Sequence, residues 1–440
     1  MNPPTISAAR RLEIIGALRR GTVPSAGLEH LAVGLESLQP AIEEELAQVR
    51  TGQAHFKAVR GEYGSGKTFF GRWVQERARR HGFASSEVQI NETETPLHRL
   101  ETVYRRVVER LGTQDSPGGA FRSVIDGWFY VLEQDVLADP AVSAEDADTL
   151  LRLSTELMEA RLASISRVAP AFSAALRAYR AALARGDHGT AEGLISWLSG
   201  QPNVSASVKR VAGIKGDIDH FAASNFLAGL LTILRDSGFA GLLIVLDEVE
   251  TLQRMRGDTR EKGLNALRQW IDEIDAGRFA GLYLVATGTP AFFDGPQGIQ
   301  RLPPLAQRLH VDFSSDARFD NPRAPQIRLA AFRQEQLVAV GRKVRDLYAL
   351  HGANAERIRR VVDDAYVRLL ADAVAGTLGG KVGIAPRLFL KKLVADVLDK
   401  VDLYADFDPR LHYRLTLSDT EMSVAERAAA QAQDVDDIEL

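Results

Sequence analysis

The stretch Gly61-Glu62-Tyr63-Gly64-Ser65-Gly66-Lys67-Thr68 limits the fold of this chain more than any other. It fits in full the pattern G-x-x-x-x-G-K-[S/T], a loop that works only between a strand and a helix. Gly61, Gly64 and Gly66 let the backbone, with Ser65, curl around an anion without side-chain clash. The turned backbone aims its N–H groups inward, and the helix that follows adds its positive N-terminal end. Lys67 is expected to reach the β- and γ-phosphates of a nucleoside triphosphate, and Thr68 to hold Mg²⁺. The flanks agree: His55–Arg60 predicts a short strand entering the loop, and Phe69–Glu76 a helix leaving it.

A second signal lies far downstream. Gly241-Leu242-Leu243-Ile244-Val245-Leu246-Asp247-Glu248 is a continuous apolar run ending in two acids. Such a run suits a strand buried on both faces of a parallel sheet. At its end Asp247 is expected beside Mg²⁺, and Glu248 is expected to polarise an attacking water as general base. Alone, the run also reads as a core strand followed by a solvated acidic turn. With the loop upstream, it predicts hydrolysis of a nucleoside triphosphate such as ATP.

The 440 residues, 45% of them hydrophobic, suffice for two domains plus an insertion. A net charge of −4 argues against a constitutive nucleic-acid coat protein but leaves room for local basic patches. The absence of cysteine excludes disulfides, thiolate metal sites and cysteine nucleophiles. No apolar run approaches the ~20 residues that cross a bilayer. Met1–Thr5 has no signal-peptide core, so a cytoplasmic protein without membrane contact is expected.

The pattern along the chain predicts an α/β fold with a parallel sheet. Residues 1–50 read as helical: an amphipathic helix Ser7–Arg20 with Ile14, Ile15 and Leu18 on one side, a turn at Gly21–Pro24, and a second helix over 27–50. Residues 51–320 read as the nucleotide-binding core. Its further strands are expected at 86–90, 241–248 and 281–289, with helices through Tyr104, Leu227–Leu231 and Arg260–Asp275. Between them, about 113–224 is helical and too long for a crossover, so it is expected to be an inserted helical subdomain with loops at 201–204 and 213–216. After a last strand at Gln326–Leu329, residues 321–417 suit an all-helical lid domain. The acidic tail 418–440, with Asp434, Asp436, Asp437 and Glu439, is expected to be mobile.

Ligands of open parallel sheets bind at the C-terminal ends of strands. Thr287 and Thr289 lie at such an end, where they either sense the γ-phosphate or position the water, or else cap the loop. Arg301 and Arg308 follow. An arginine that reaches a neighbouring subunit's site stabilises the phosphoryl-transfer transition state, and of the two Arg308, near the end of a predicted helix, is preferred for that role; taken singly, each reads first as a surface arginine. Arg387, just after Pro386 at a predicted helix start, either contacts the nucleotide from the lid side or is solvated.

Taken in order, these signals resemble the AAA+ P-loop ATPases, near the origin-recognition group, over most of the chain. Ala17–Pro24, Lys57–Phe70 and Glu92–His98 further resemble the ATP-binding proteins of BREX-type phage-defence systems, the BrxD-like group, and Leu194–Gly200 adds a weaker likeness. The resemblance implies an ATPase with Mg²⁺, a homo-oligomer, that works with a partner defence protein such as a helicase on phage DNA. No aromatic pore loop is evident, which argues against DNA translocation by this chain alone. Candidate DNA contacts are Arg105-Arg106, Arg359-Arg360 and Lys391-Lys392, each of which reads first as a solvated face. Two other functions stay open: a nucleotide-dependent, non-motor scaffold or switch that docks a partner through the insertion, and a small-molecule kinase, for which no acceptor pocket is evident.

Overall fold

The computed structural model describes residues 6–378, 383, 386–418, 420–422 and 426–427. Met1–Thr5, Ile384, Ala385 and the tail acids Asp434, Asp436, Asp437 and Glu439 lie outside the described residues. The fold is mixed α/β and mostly helical. Its strands are β1 (His55–Arg60), β2 (Ala84–Gln89), β3 (Leu242–Asp247), β4 (Leu282–Gly288) and β5 (Gln326–Arg328). They form one five-stranded sheet in the order β2-β3-β4-β1-β5. β3 runs parallel to both neighbours, with Gln89 opposite Asp247 and Leu246 opposite Ala286. Every residue of β3 and β4 is buried, so the sequences LLIVLD and LYLVATG show no alternation of apolar and polar positions.

Two compact units make up the chain. One gathers the described residues of 42–58 and 77–310. Its helices Leu100–Glu109, His220–Asp236 and Gly257–Asp275 contribute to one continuous apolar core with β2, β3 and β4. The helices between Phe121 and Val211 share that core. Phe172 packs on Phe226 with ring centres 5.0 Å apart, and a Cβ at Gly229 would meet the Phe172 ring at 2.6 Å. The expected insertion is therefore built into the sheet unit's own interior. Leu194–Gly200 ends one of its helices: Leu198 is buried and its carbonyl accepts from the Tyr104 hydroxyl at 2.9 Å, and Gly200 takes the left-handed φ of 82° that stops the helix.

The other unit gathers the described residues of 1–41, 59–76 and 311–440. Ile14, Ile15 and Leu18 of the helix Ala8–Arg19, which Ser7 caps, pack with Leu337, Val344, Val367, Leu388, Phe389 and Leu393. The single helix expected over 27–50 is corrected: only Leu28–His30, a 3-10 turn, and Gln39–Arg50 are helical. Gly27 and Gly34 adopt φ of 77° and 78°, which break a right-handed helix, and Pro40 suits the first turn of the next one.

Candidate functional site

β1 and the helix Lys67–Arg80 hold the glycine loop between them, in the strand–loop–helix context the motif needs. The last four residues of β1 are buried, which fixes where the loop departs. Gly64 and Gly66 take φ of 81° and 89°, left-handed backbone that a side chain would strain. Gly61 is needed for room instead: a Cβ there would lie 2.3 Å from Ser65 Oγ and 3.3 Å from Lys67 Cγ. The Lys67 ammonium donates to the carbonyls of Gly61 at 2.9 Å and Glu62 at 3.2 Å, and lies 5.1 Å from the centre of the Tyr63 ring. Ser65 Oγ is buried and has no hydrogen-bond partner among the described residues. Thr68 sits in the first turn, where helix N–H groups have no intrahelical acceptor. An orphaned buried hydroxyl, a cradle that a Cβ would fill and a helix N-terminus together fit a phosphate group.

The acidic residues are placed by β3 and β4. Asp247 closes β3 and is 4% exposed, and Thr287, on the neighbouring strand, is fully buried. The Thr287 hydroxyl donates to Asp247 Oδ1, and the Glu248 N–H reaches the same oxygen at 3.1 Å. Thr287 and Asp247 are thereby joined across the two strands. Thr289 is also buried, and its side chain makes no capping bond to the helix Pro290–Asp294. Glu248 adopts φ 61° and ψ 41°, a left-handed conformation unusual outside glycine, just beyond the strand. Its carboxylate accepts from Gln89 Nε2 at 2.9 Å. Gln89 was not among the residues the sequence singled out. The signal for it is positional: it ends β2 in register with Asp247.

The arginines differ in their surroundings. Arg308, in the helix Pro303–Leu309, pairs with Asp272 at 2.6 Å and Asp275 at 3.0 Å. Arg301 is exposed, and its side chain meets no hydrogen-bond or ion-pair partner among the described residues. Arg387 donates to the Glu426 carboxylate and to the Glu421 carbonyl at 2.6 Å. Glu426 is 3% exposed, so Arg387 reaches a nucleotide only by exchanging a buried carboxylate. At least one residue of each basic pair is also engaged: Arg106 with Glu94 and Glu109, Arg359 with Asp346 at 3.9 Å, Lys391 with Glu421, and Lys392 with Asp396 and Glu421. No group of three or more acidic or histidine side chains among the described residues forms a metal cage. Mg²⁺ needs none, because it is commonly held by one or two carboxylates together with substrate phosphates.

A mixed α/β fold carrying a glycine loop between strand and helix is compatible with a P-loop nucleoside triphosphatase. The chain belongs to the family of BREX system ATP-binding proteins BrxC/D, whose model matches residues 6–417. That membership makes it an ATP-binding protein of a multi-protein defence system. No curated protein and no solved structure matches it. No described helix is long and apolar enough to cross a membrane.

Proposed function

We propose that this chain is an AAA+-like ATPase that binds ATP through Gly61, Gly64, Ser65, Gly66, Lys67 and Thr68 and hydrolyses it. Thr68 and Asp247 hold Mg²⁺, which neutralises charge on the phosphates, and Glu248 takes the proton of the attacking water. The observation that carries hydrolysis is the built acidic pair: Thr287 and a backbone N–H fix one oxygen of Asp247, and Gln89 fixes the carboxylate of Glu248. A chain that only bound nucleotide would not need both acids so supported. In a homo-oligomer, an arginine from a neighbouring copy completes the charge stabilisation. Arg301 suits that role better than Arg308, which must first leave two carboxylates. The helices from Gln334 to Leu403 act as the lid, with Arg387 released from Glu426 to meet the nucleotide. Turnover drives a partner defence protein, such as a helicase, against phage DNA in the cytoplasm.

The test is ATP binding and turnover by the purified protein, with and without duplex DNA. Lys67→Ala is expected to lose nucleotide binding. Glu248→Gln is expected to bind ATP and lose about 10²-fold or more of turnover, the contribution of a general base. Equal turnover in Glu248→Gln and the parent removes Glu248 from its role. ATP binding with negligible turnover in every condition gives the protein the function of a nucleotide-dependent scaffold.

A further inference from the structure

We propose that a groove beside the N-terminal helix docks an amphipathic helix from a partner protein, a site separate from the nucleotide residues. The groove has a volume of about 640 Å³ and lies along Ala8–Arg19, the turn around Gly352–Asn354 and the helix Asp399–Leu403. Its floor includes Ile15 and Ile358, which are 3% and 1% exposed. Leu12 and Leu403 also line it, and they are 62% and 72% exposed. Two large aliphatic side chains standing in water beside an apolar floor mark a surface built to be covered.

The charges around the groove specify the occupant. One wall is preset: Arg19 donates both ways to Asp399 at 2.6 and 2.7 Å, and the Tyr348 hydroxyl donates to Asp399 at 2.8 Å. Those groups satisfy one another. Arg11 and Asp402 do not. Arg11 Nη1 donates to the Tyr348 carbonyl at 2.6 Å, and among the described residues its Nε is buried without a partner and no carboxylate pairs with it. Asp402 accepts from Asn354 Nδ2 at 2.9 Å and pairs with no cation among the described residues. A complementary ligand therefore carries an apolar stripe for the floor and the leucines, an acid for Arg11 and a base for Asp402. An amphipathic helix meets all three requirements, and the two opposite charges set its direction in the groove. A purely acidic segment would satisfy Arg11 and oppose Asp402.

The experiment places a photo-crosslinking phenylalanine analogue at Leu403 of the full chain, produced together with the other proteins of its BREX system. The expected product is an adduct with one of those proteins. Its crosslinked peptide should show apolar residues at helical spacing flanked by an acid and a base. Adding Leu12→Asp or Arg11→Glu should cut the adduct and co-purification by roughly 30-fold, the size of a hot-spot substitution. Both variants should still bind ATP as the parent does, which separates lost docking from misfolding and from any failure of the ATPase assignment. The proposal is overturned by an adduct only with a second copy or with the chain's own tail, by a crosslinked peptide polar all round, by no adduct, or by an adduct indifferent to both variants.

Discussion

Thr287→Val tests the arrangement at the end of β3 and β4 directly. Thr287 is fully buried and valine has nearly its shape, so the change opens no cavity and removes the hydroxyl's bond to Asp247 Oδ1 together with the long 3.4 Å bond it accepts from the Glu248 N–H. A bond to a charged group contributes about 1.5–3 kcal/mol. The Glu248 N–H, 3.1 Å from Asp247 Oδ1, remains. The loss therefore falls near the lower end, about 1.5–2 kcal/mol. For a unit of this size each kcal/mol shifts the melting temperature by roughly 2–4 °C, so thermal unfolding should move down by about 3–8 °C. If Thr287 serves to orient a metal-binding carboxylate, the Mg²⁺ concentration for half-maximal ATP turnover should also rise, by about 10–100-fold. Thr287→Ser keeps the hydroxyl and should recover the Mg²⁺ response. A Thr287→Val protein that melts and responds to Mg²⁺ as the parent does would refute the positioning role. Slower turnover at unchanged Mg²⁺ dependence would return Thr287 to direct contact with the phosphate.

Four further outcomes are expected. Lys57 is 2% exposed and pairs with Glu45 at 2.5 Å, so Glu45→Ala strips a buried ammonium of its carboxylate and should cost about 3–5 kcal/mol, read from urea unfolding. Gln89→Leu releases Glu248 from its amide donor and should lower turnover about tenfold at unchanged ATP affinity, with no added effect in a Glu248→Gln background. Arg301→Ala should show the roughly 10³-fold loss of a transition-state arginine, whereas Arg308→Ala should shift stability by at most about 1 kcal/mol. Burial works against ionisation of Glu421, yet hydrogen bonds from Lys392 and Lys391 hold its carboxyl down at about 2. Because its folded value lies below the unfolded one, the stability it adds is full above about pH 4.3 and is lost as pH falls toward 2. Acid titration of Glu421→Gln followed by circular dichroism should show a shallower loss across that window.

What the sequence discloses is what is written within a few residues of itself. Gly61–Thr68 specifies its own strand, turn and helix, because φ above zero at Gly64 and Gly66 and the missing Cβ at Gly61 are local demands. Ile14, Ile15 and Leu18 likewise announce the buried face of their helix. The helix expected over 27–50 failed because the polar and apolar spacing outweighed Gly27 and Gly34, whose left-handed backbone decides the matter. Contacts between distant segments carry no such mark. Tyr283 and Lys57 meet Glu45 inside the sheet unit, and none of the three stands out from a strand or helix pattern.

The acidic site shows where the two kinds of information join. Asp247 and Glu248 were legible as acids at the end of an apolar run, but what each carboxylate can do depends on strand pairing. Placing β2 and β4 on either side of β3 brings Gln89 to Glu248 and Thr287 to Asp247. Had either neighbour been a different strand, the same two acids would have been a solvated turn. The sequence offers γ-phosphate sensing, water positioning or capping for Thr287, and the pairing adds a contact, the hydroxyl's bond to Asp247. The same reasoning underlies the proposed preference for Arg301 over Arg308. Arg308 was preferred for its place near a helix end, but Asp272 lies 36 residues back along the chain and Asp275 33, and both hold its guanidinium. Proximity in sequence proposed the residue, and proximity in space shows what it is already bound to.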